Sequence, residues 1–391
     1  MDSELKSLFF VIIIAALAPL LTRLLPKLQI PAVVFMLAGG VLIGQEELAV
    51  ATPEDVDLLS TLGLSFLFLL AGYELDLNLL RQPPGTLGLR AWLISAVISL
   101  AVTALLWEAG IVSDFLAITV ALTTTALGTL LPIMRDTGIM AGSVGPFIFA
   151  AGAIGEFLPI VAMALLLSGS GPITGMLALV GMGLATFVVL MVIRQVQRRG
   201  WGEKLAMPED ATGQTSLRWT LVILSGLILV ADDFGLDVVL GAFLAGVVLR
   251  QWAPAQVETL ERKLEAVGYG VFIPIFFVSS GMKLDVDSIV ENPLRLLMFF
   301  ALLLLVRGLP ALFVYRRYLG GVQRWQMVFL TATALPLLVA LSEVGLESGL
   351  MRPENAAALV GAGALSVLVF PLAAVILQQR VPSEVVTEER I

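Results

Sequence analysis

A single carboxyl group lies in the middle of a long apolar stretch of this sequence. Glu156 stands in Ala-Gly-Ala-Ile-Gly-Glu-Phe-Leu-Pro, a segment with no other ionisable residue. An ionisable group at the centre of a spanning helix costs several kcal/mol unless it is paired or hydrated, and it commonly marks an ion or proton path. Gly155 leaves space beside the carboxyl group, and Pro159 frees a backbone carbonyl one turn earlier. We therefore predict that Glu156 binds an ion or a proton, the alternative being a carboxyl group kept neutral or salt-bridged for packing.

Arg307 is the only basic residue far from the end of an apolar stretch, in the sequence Leu-Val-Arg-Gly-Leu-Pro. A buried guanidinium needs an anionic or carbonyl partner. It does not give up its proton at any usable pH. We interpret Arg307 as a charge partner or a structural brace, and the residue type leaves both open.

Two threonine-rich segments occur in corresponding apolar stretches. Thr-Thr-Thr-Ala-Leu begins at Thr123 and Thr-Ala-Thr-Ala-Leu begins at Thr331, and the helix-weakening residues Gly128 and Pro336 follow them. Paired breaks predict crossed, discontinuous helices whose free carbonyls and hydroxyls help to coordinate a cation near the midplane. The alternative is that these small residues only allow close helix packing. The residues predicted to line this ion path are Thr123, Thr124, Thr125, Thr331 and Thr333.

The absent residue types exclude several kinds of chemistry. The chain contains no histidine and no cysteine, which excludes imidazole bases, thiol nucleophiles, disulfides and the usual zinc sites. We expect no cofactor and no tightly bound metal. Without histidine or cysteine, proton chemistry near neutral pH must use carboxyl groups. A net charge of −8 without a basic patch argues against a nucleic-acid partner.

Composition places this chemistry inside a lipid bilayer. The chain is 58% hydrophobic and 14% charged, with a mean hydropathy of +0.98, whereas roughly a quarter of the residues in soluble domains are charged. Its apolar runs of about 17 to 25 residues match the thickness of the hydrocarbon core. The pattern predicts an all-α polytopic membrane protein with about thirteen transmembrane helices.

Loop charges orient these helices. Eighteen lysine and arginine residues fall in loops and helix ends on one side and four on the other, and Arg307 lies within a helix. Short cytoplasmic loops retain basic residues. The distribution therefore predicts an external N-terminus and a cytoplasmic C-terminus, in a plasma membrane of the bacterial type.

Three short motifs recur along the chain at a nearly constant offset. Leu37-Ala38-Gly39 returns 207 residues later, Gly72-Tyr73-Glu74-Leu75-Asp76 returns 209 residues later as Gly-Met-Lys-Leu-Asp, and the threonine segments are 208 residues apart. The copies are seven predicted helices apart, and an odd separation inverts the second copy in the membrane. We predict an inverted repeat of six and six helices with one linking helix, which is typical of secondary transporters.

These segments resemble the second family of monovalent cation/proton antiporters, which includes bacterial Na⁺/H⁺ and K⁺/H⁺ exchangers. The resemblance covers essentially the whole chain. It rests on the segments Ile30–Val34, Leu37–Gly39, Phe66–Asp76, Leu240–Gly246 and Ile275–Met282.

The resemblance implies the Na⁺/H⁺ antiporter fold and a homodimer in which a core moves the ion site against a scaffold. The implied division is residues 1–80 for scaffold and dimer helices 1–3, 81–170 for core helices 4–6, 171–216 for linking helix 7 and a cytoplasmic loop, 217–292 for scaffold helices 8–10, 293–380 for core helices 11–13, and 381–391 for a cytoplasmic tail. No nucleotide-binding domain is expected in this chain.

The family's sixth helix usually carries two adjacent acidic residues, or Asn or Gln followed by Asp. Here the pair is Gly155-Glu156, so Glu156 takes the ion-binding position and the first partner is absent. Arg307 matches a basic position that is often Lys in electrogenic members. The resemblance thus implies an electroneutral exchange, one proton for one cation.

We predict a secondary active antiporter in which one carboxylate binds either H⁺ or a monovalent cation, Na⁺ or K⁺, with alternating access. One alternative is a sodium-coupled organic-anion symporter of the same fold. A remote alternative is an intramembrane prenyltransferase, for which Asp232, Asp233 and Asp237 supply the residue type but no second Asp-rich motif completes a Mg²⁺ clamp. A third alternative, a receptor that does not transport, would give no function to Glu156 or to the paired helix breaks.

Overall fold

The computed structural model describes residues 2–24, 31–44, 47–75, 81–166, 172–198, 214–252 and 257–378, and all regular structure in these ranges is helical. The tail at 381–391 and most of the loop predicted after the linking helix, residues 199–213, lie outside the described residues. The all-α prediction is confirmed.

Most of the helices lie within apolar segments of the sequence, but the polar stretch Val257–Val267 is helical as well. They are α1 Asp2–Leu24, α2 Ala32–Ile43, α3 Asp57–Glu74, α4 Pro83–Glu108, α5 Phe115–Ala121, α6 Leu127–Asp136, α7 Gly145–Leu166, α8 Pro172–Arg198, α9 Thr215–Asp233, α10 Val238–Trp252, α11 Val257–Val267, α12 Ile273–Met282, α13 Val286–Glu291, α14 Pro293–Leu302, α15 Pro310–Val314, α16 Gly321–Ala332, α17 Pro336–Glu347 and α18 Pro353–Gln378. Within the described ranges, ten helical stretches are long and apolar enough to cross a membrane, and two shorter apolar helices accompany them. The number of spans stays a prediction.

Two of the predicted helices are interrupted at their threonine segments. One is divided into α5 and α6 by residues 122–126, and the other into α16 and α17 by residues 333–335. Pro336 begins α17, where its missing N–H costs no hydrogen bond. Gly128 instead lies inside the first turn of α6, so the first break precedes the glycine that was expected to cause it.

The helices pack as two groups. In the first helix group, α1, α2 and α3 pack with α9, α10 and α12, and in the second, α4 to α7 pack with α14 to α18. The linking helix α8 contacts both α7 and α10. At the boundary, Phe157 of the second group stacks on Phe243 of the first, with ring centroids 5.3 Å apart and planes 25° apart.

Glycines in or next to the repeated motifs form close helix crossings. A Cβ atom on Gly40 would collide with the carbonyl of Val278, and one on Gly72 would collide with the carbonyl of Phe243. These contacts join α2 to α12 and α3 to α10, whereas the predicted repeat relates α2 to α10 and α3 to α12, so each contact pairs helices of different copies that are not counterparts. Backbone-to-backbone packing of this kind requires glycine on at least one side, which gives a physical reason for the recurrence of the glycine motifs.

Candidate functional site

Glu156 lies on α7 and faces the start of α6. Its Oε1 atom accepts hydrogen bonds from the backbone N–H groups of Leu127, at 2.7 Å, and Gly128, at 3.3 Å. The first N–H groups of a helix have no partner within the helix, and the macrodipole there favours negative charge. The break that creates the start of α6 therefore creates the donors for this carboxylate.

The two helix breaks cross each other beside Glu156. The N–H of Ala126 donates to the carbonyl of Thr333 at 2.8 Å, so the two interrupted backbones are joined directly. On the far side of the second break, the N–H of Ala334 donates to Ser366 Oγ at 3.0 Å. Buried backbone groups released from both helices are thus satisfied by each other and by α18.

Pro159 has the structural effect that the sequence indicated. Because proline has no N–H, it cannot bond the carbonyl four residues earlier, which is that of Gly155. This carbonyl instead accepts the N–H of Thr125 at 3.0 Å. The proline of α7 therefore attaches α7 to the first break.

The threonine hydroxyls are mostly engaged locally. Thr123 and Thr124 donate to carbonyls three residues earlier, and Thr331 and Thr333 donate to carbonyls four residues earlier. Only Thr125 reaches across the breaks, donating to the carbonyl of Thr331 at 2.6 Å. The five threonines are buried at the breaks, but none of them lines the cavity beside Glu156. Their role in an ion path stays a prediction.

Arg307 is 1% exposed and lies in a π-helical turn between α14 and α15. Its Nε donates to Thr125 Oγ1 and its Nη2 donates to the carbonyl of Ala151, both at 2.9 Å. Its Nη1 has no hydrogen-bond partner within the described ranges. The guanidinium therefore joins three elements of the second helix group through neutral oxygen atoms, which is the geometry of a brace.

The environment of Gly155 explains why no second acid stands beside Glu156. A Cβ atom on Gly155 would lie 2.7 Å from both Arg307 Nη2 and Thr125 Oγ1. The guanidinium and the hydroxyl occupy the space that a side chain would need. Gly155 and Arg307 are therefore complementary in size at this position.

A cavity of about 480 Å³ lies between the two helix groups and reaches Glu156. It extends along the ends of α1, α3 and α6, where Thr22, Glu74 and Ile133 line it, and Pro336 and Leu337 of α17 close its inner wall. We call it the Glu156 cavity.

Four polar residues of the Glu156 cavity were not singled out from the sequence. In the sequence Glu74, the last residue of α3, is marked only by a repeated motif, and Thr22, Thr129 and Tyr269 are marked by none. Glu74 is half-buried, and its carboxylate has no hydrogen-bond or salt-bridge partner within the described ranges. The signal that could have found Glu74 is the recurrence of its motif, which ends α3 and recurs at the end of α12.

The aspartates considered for a prenyltransferase have other positions. Asp232 and Asp233 are exposed at the end of α9. Asp237 precedes α10 and its carboxylate accepts the N–H of Val239 at 2.9 Å, as a helix cap does. Burial raises the pKa of Asp237 above its usual value. This arrangement supplies no paired clamp for a diphosphate.

Comparison with known proteins agrees with this architecture. The family described as "Sodium/hydrogen exchanger, transmembrane" matches residues 12–378. A Bacillus subtilis protein, YjbQ, named as a candidate Na⁺/H⁺ antiporter, is 26% identical over 95% of this chain and 62% of its own length. The glutathione-regulated potassium-efflux system protein KefC of Salmonella schwarzengrund is 28% identical over 96% of this chain and 61% of its own length.

A solved structure has the same fold. The sodium proton antiporter MjNhaP1 of Methanocaldococcus jannaschii aligns with a TM-score of 0.67 at 17% identity, over 96% of both chains. The chain spans about three-fifths of the length of the two relatives named above. The Na⁺/H⁺ antiporter fold is thereby confirmed. The family match, which covers nearly the whole sequence, shows that the chain belongs to the transmembrane sodium/hydrogen exchangers, a family of transporters and not of enzymes.

Proposed function

We propose that this chain exchanges H⁺ for a monovalent cation, Na⁺ or K⁺, and that Glu156 binds the two ions in turn. The observation that carries the proposal is the position of the Glu156 carboxylate, held by the first N–H groups of α6 and facing a cavity between two helix groups. A carboxylate that holds either a proton or a cation couples their movement, because binding of one excludes the other.

The structure supports a cationic substrate over an organic anion. The described lining of the Glu156 cavity contains two carboxylates, those of Glu74 and Glu156, and no lysine or arginine. An anionic substrate would meet repulsion there, since like charges in a poorly hydrated cavity interact strongly. The hydroxyl of Thr129 and the carboxylate of Glu74 are available to a cation that approaches Glu156.

Arg307 contributes a fixed charge in this proposal. Its guanidinium stays protonated through the cycle and is held by oxygen atoms of Thr125 and Ala151. With glycine at position 155, Glu156 is the one carboxyl group on α7 beside the breaks. The site would then carry one positive charge in each direction, as a proton or as a cation, and the exchange would be electroneutral.

We further infer the orientation and assembly. The arginine-rich side of the predicted topology faces the cytoplasm of a bacterial-type plasma membrane, so that the Glu156 cavity opens to the cytoplasm. The second helix group moves as the core against the first as the scaffold, in a homodimer. The relatives' names include both sodium and potassium, and the cavity favours neither ion.

The test is transport by purified protein in proteoliposomes that contain a pH-sensitive dye, with Na⁺, K⁺ and Li⁺ added in turn. Glu156→Gln should abolish cation-driven proton movement, because glutamine keeps the volume but can neither titrate nor carry the charge. Glu108→Gln, at an exposed position at the end of α4, is the matched control and should transport normally. Undiminished exchange by Glu156→Gln would reject the assignment of the site.

A further inference from the structure

An ion pair joins the two helix groups at the end of the bundle opposite the Glu156 cavity. Lys283 follows the last residue of α12, and its Nζ lies 2.6 Å from Oε1 of Glu343 in α17. The same Nζ lies 3.7 Å from Oδ1 of Asp57, the first residue of α3. Since α12 and α3 belong to the first helix group and α17 to the second, the contact crosses the boundary between them.

This pair is more protected from water than a typical surface salt bridge. The side chains of Lys283 and Glu343 are 29% and 14% exposed. Burial lowers the pKa of Lys283, but the charge and hydrogen bond of Glu343, together with the charges of Asp57 and Glu347, outweigh burial and hold that pKa above its usual value. Exposed pairs contribute little to stability, whereas breaking a buried pair leaves an uncompensated charge.

The space behind the pair is narrow. A cleft of about 90 Å³ is lined by Ser280, Lys283, Ser342 and Glu343, compared with about 480 Å³ for the Glu156 cavity. Ser342 is 3% exposed and its hydroxyl has no hydrogen-bond partner within the described ranges. The boundary between the helix groups is therefore closed at the Lys283–Glu343 pair, with a polar group left unsatisfied beneath it.

One helix connects the two ends. Pro336 and Leu337, at the start of α17, line the Glu156 cavity. Val339, Ser342 and Glu343, further along the same helix, line the cleft. A displacement of α17 relative to α12 that widens one space must therefore alter the other.

We propose that the Lys283–Glu343 ion pair is the gate that closes this end of the exchanger while the Glu156 cavity is open. The inference rests on the proposed exchange by alternating access. In the closed state the ammonium group neutralises Glu343, a carboxylate that lines the cleft one helical turn inside the exposed Glu347. Opening requires Lys283 to leave Glu343, so the pair sets the ratio of the two access states.

The repeat supports a role specific to this end. Lys283 stands 209 residues after Glu74, at the corresponding position of the repeated motif. Glu74 lines the open cavity at one end, and Lys283 occupies the closed cleft at the other. Equivalent positions of the two copies thus carry opposite charges.

The test measures access to each end by thiol labelling. The chain has no cysteine, so a single introduced thiol is the only one present. Ser342→Cys reports on the cleft and Ala71→Cys, on the wall of the Glu156 cavity, reports on the other end. A hydrophilic maleimide is applied to the full chain in detergent, where both ends are in contact with solvent and no transport is needed.

In the Lys283→Gln background, labelling at position 342 should accelerate at least about fivefold and labelling at position 71 should slow. Lys283→Arg keeps the charge and should leave both rates near those of the native pair. Unchanged rates in Lys283→Gln, or acceleration at both positions, would overturn the proposal, the second because it indicates general loosening.

Glu343→Gln provides a second variant that keeps the volume and should shift both rates in the same directions as Lys283→Gln. It replaces Lys283→Gln as the decisive variant if that protein does not fold. Proton flux by the native chain is measured separately. The absence of cation-driven proton flux would reject the proposed exchange. The labelling rates would still report whether the gate exists.

Discussion

Gly155→Ala should destabilise the protein markedly although it adds one methyl group. The new Cβ atom would lie 2.7 Å from Arg307 Nη2 and Thr125 Oγ1 and 2.8 Å from Thr125 Cβ. A real Cβ atom essentially never lies within 3.0 Å of such a non-bonded atom, so either the guanidinium or the first break must move. The two hydrogen bonds of Arg307, to Thr125 and Ala151, are 2.9 Å long and cannot both survive this displacement.

The magnitude follows from three contributions. Overpacking costs about 1–3 kcal/mol, and the loss of one hydrogen bond to a charged group costs about 1.5–3 kcal/mol. The better helix propensity of alanine offsets about 1 kcal/mol of this destabilisation. We expect a net loss of about 3 kcal/mol in the free energy of unfolding.

The assay is denaturant unfolding in detergent, followed by the fluorescence of the six tryptophans. Gly226→Ala is the matched control, because Gly226 is a helical glycine of α9 whose Cβ would meet nothing within 4 Å. The control should be neutral or slightly stabilising. If Gly155→Ala is as stable as Gly226→Ala, the complementarity of Gly155 and Arg307 is wrong. Removing the guanidinium by Arg307→Met should reduce the cost of Gly155→Ala.

Three further predictions concern the same region. Thr125→Val keeps the shape but removes the acceptor of Arg307, and should cost about 1–3 kcal/mol in the same unfolding assay. Glu74→Gln should raise the half-saturating cation concentration about threefold to tenfold, because it removes one attracting charge from the cavity. The transport rate at saturating cation should change little, and the effect should be largest at low salt. An imposed membrane potential should leave the equilibrium pH gradient in proteoliposomes unchanged, whereas each uncompensated charge would contribute about 2.3 kcal/mol per 100 mV.

The site could be predicted from the sequence where local chemistry determines it. Glu156 is exceptional in its apolar segment, and the carbonyl freed by Pro159 follows from the missing N–H of proline. The partner of that carbonyl, Thr125, could not be identified, because it depends on how two breaks cross. The position of the first break, before Gly128, could not be predicted either. Tertiary hydrogen bonds determine where the backbone leaves the helix.

The polar lining of the cavity was the least predictable part. Glu74 stands at a helix end, where charged residues are common, and only the packing of α1, α3 and α6 turns that end into a cavity wall. The hydroxyls of Thr123 and Thr333 were expected to face the ion path. In this conformation they donate to nearby backbone carbonyls, as threonine hydroxyls in helices often do, and their role in an ion path stays a prediction.

The glycine crossings and the aromatic pair at the boundary have a mechanical consequence. Backbone pressed on backbone at Gly40 and Gly72 has no rotamers through which strain can relax, so the first helix group resists internal deformation. The rings of Phe157 and Phe243 lie nearly parallel across the boundary, and parallel rings can translate past each other while keeping much of their contact area. In the proposed exchange, shear between the helix groups would therefore be concentrated at the boundary that joins them in this conformation.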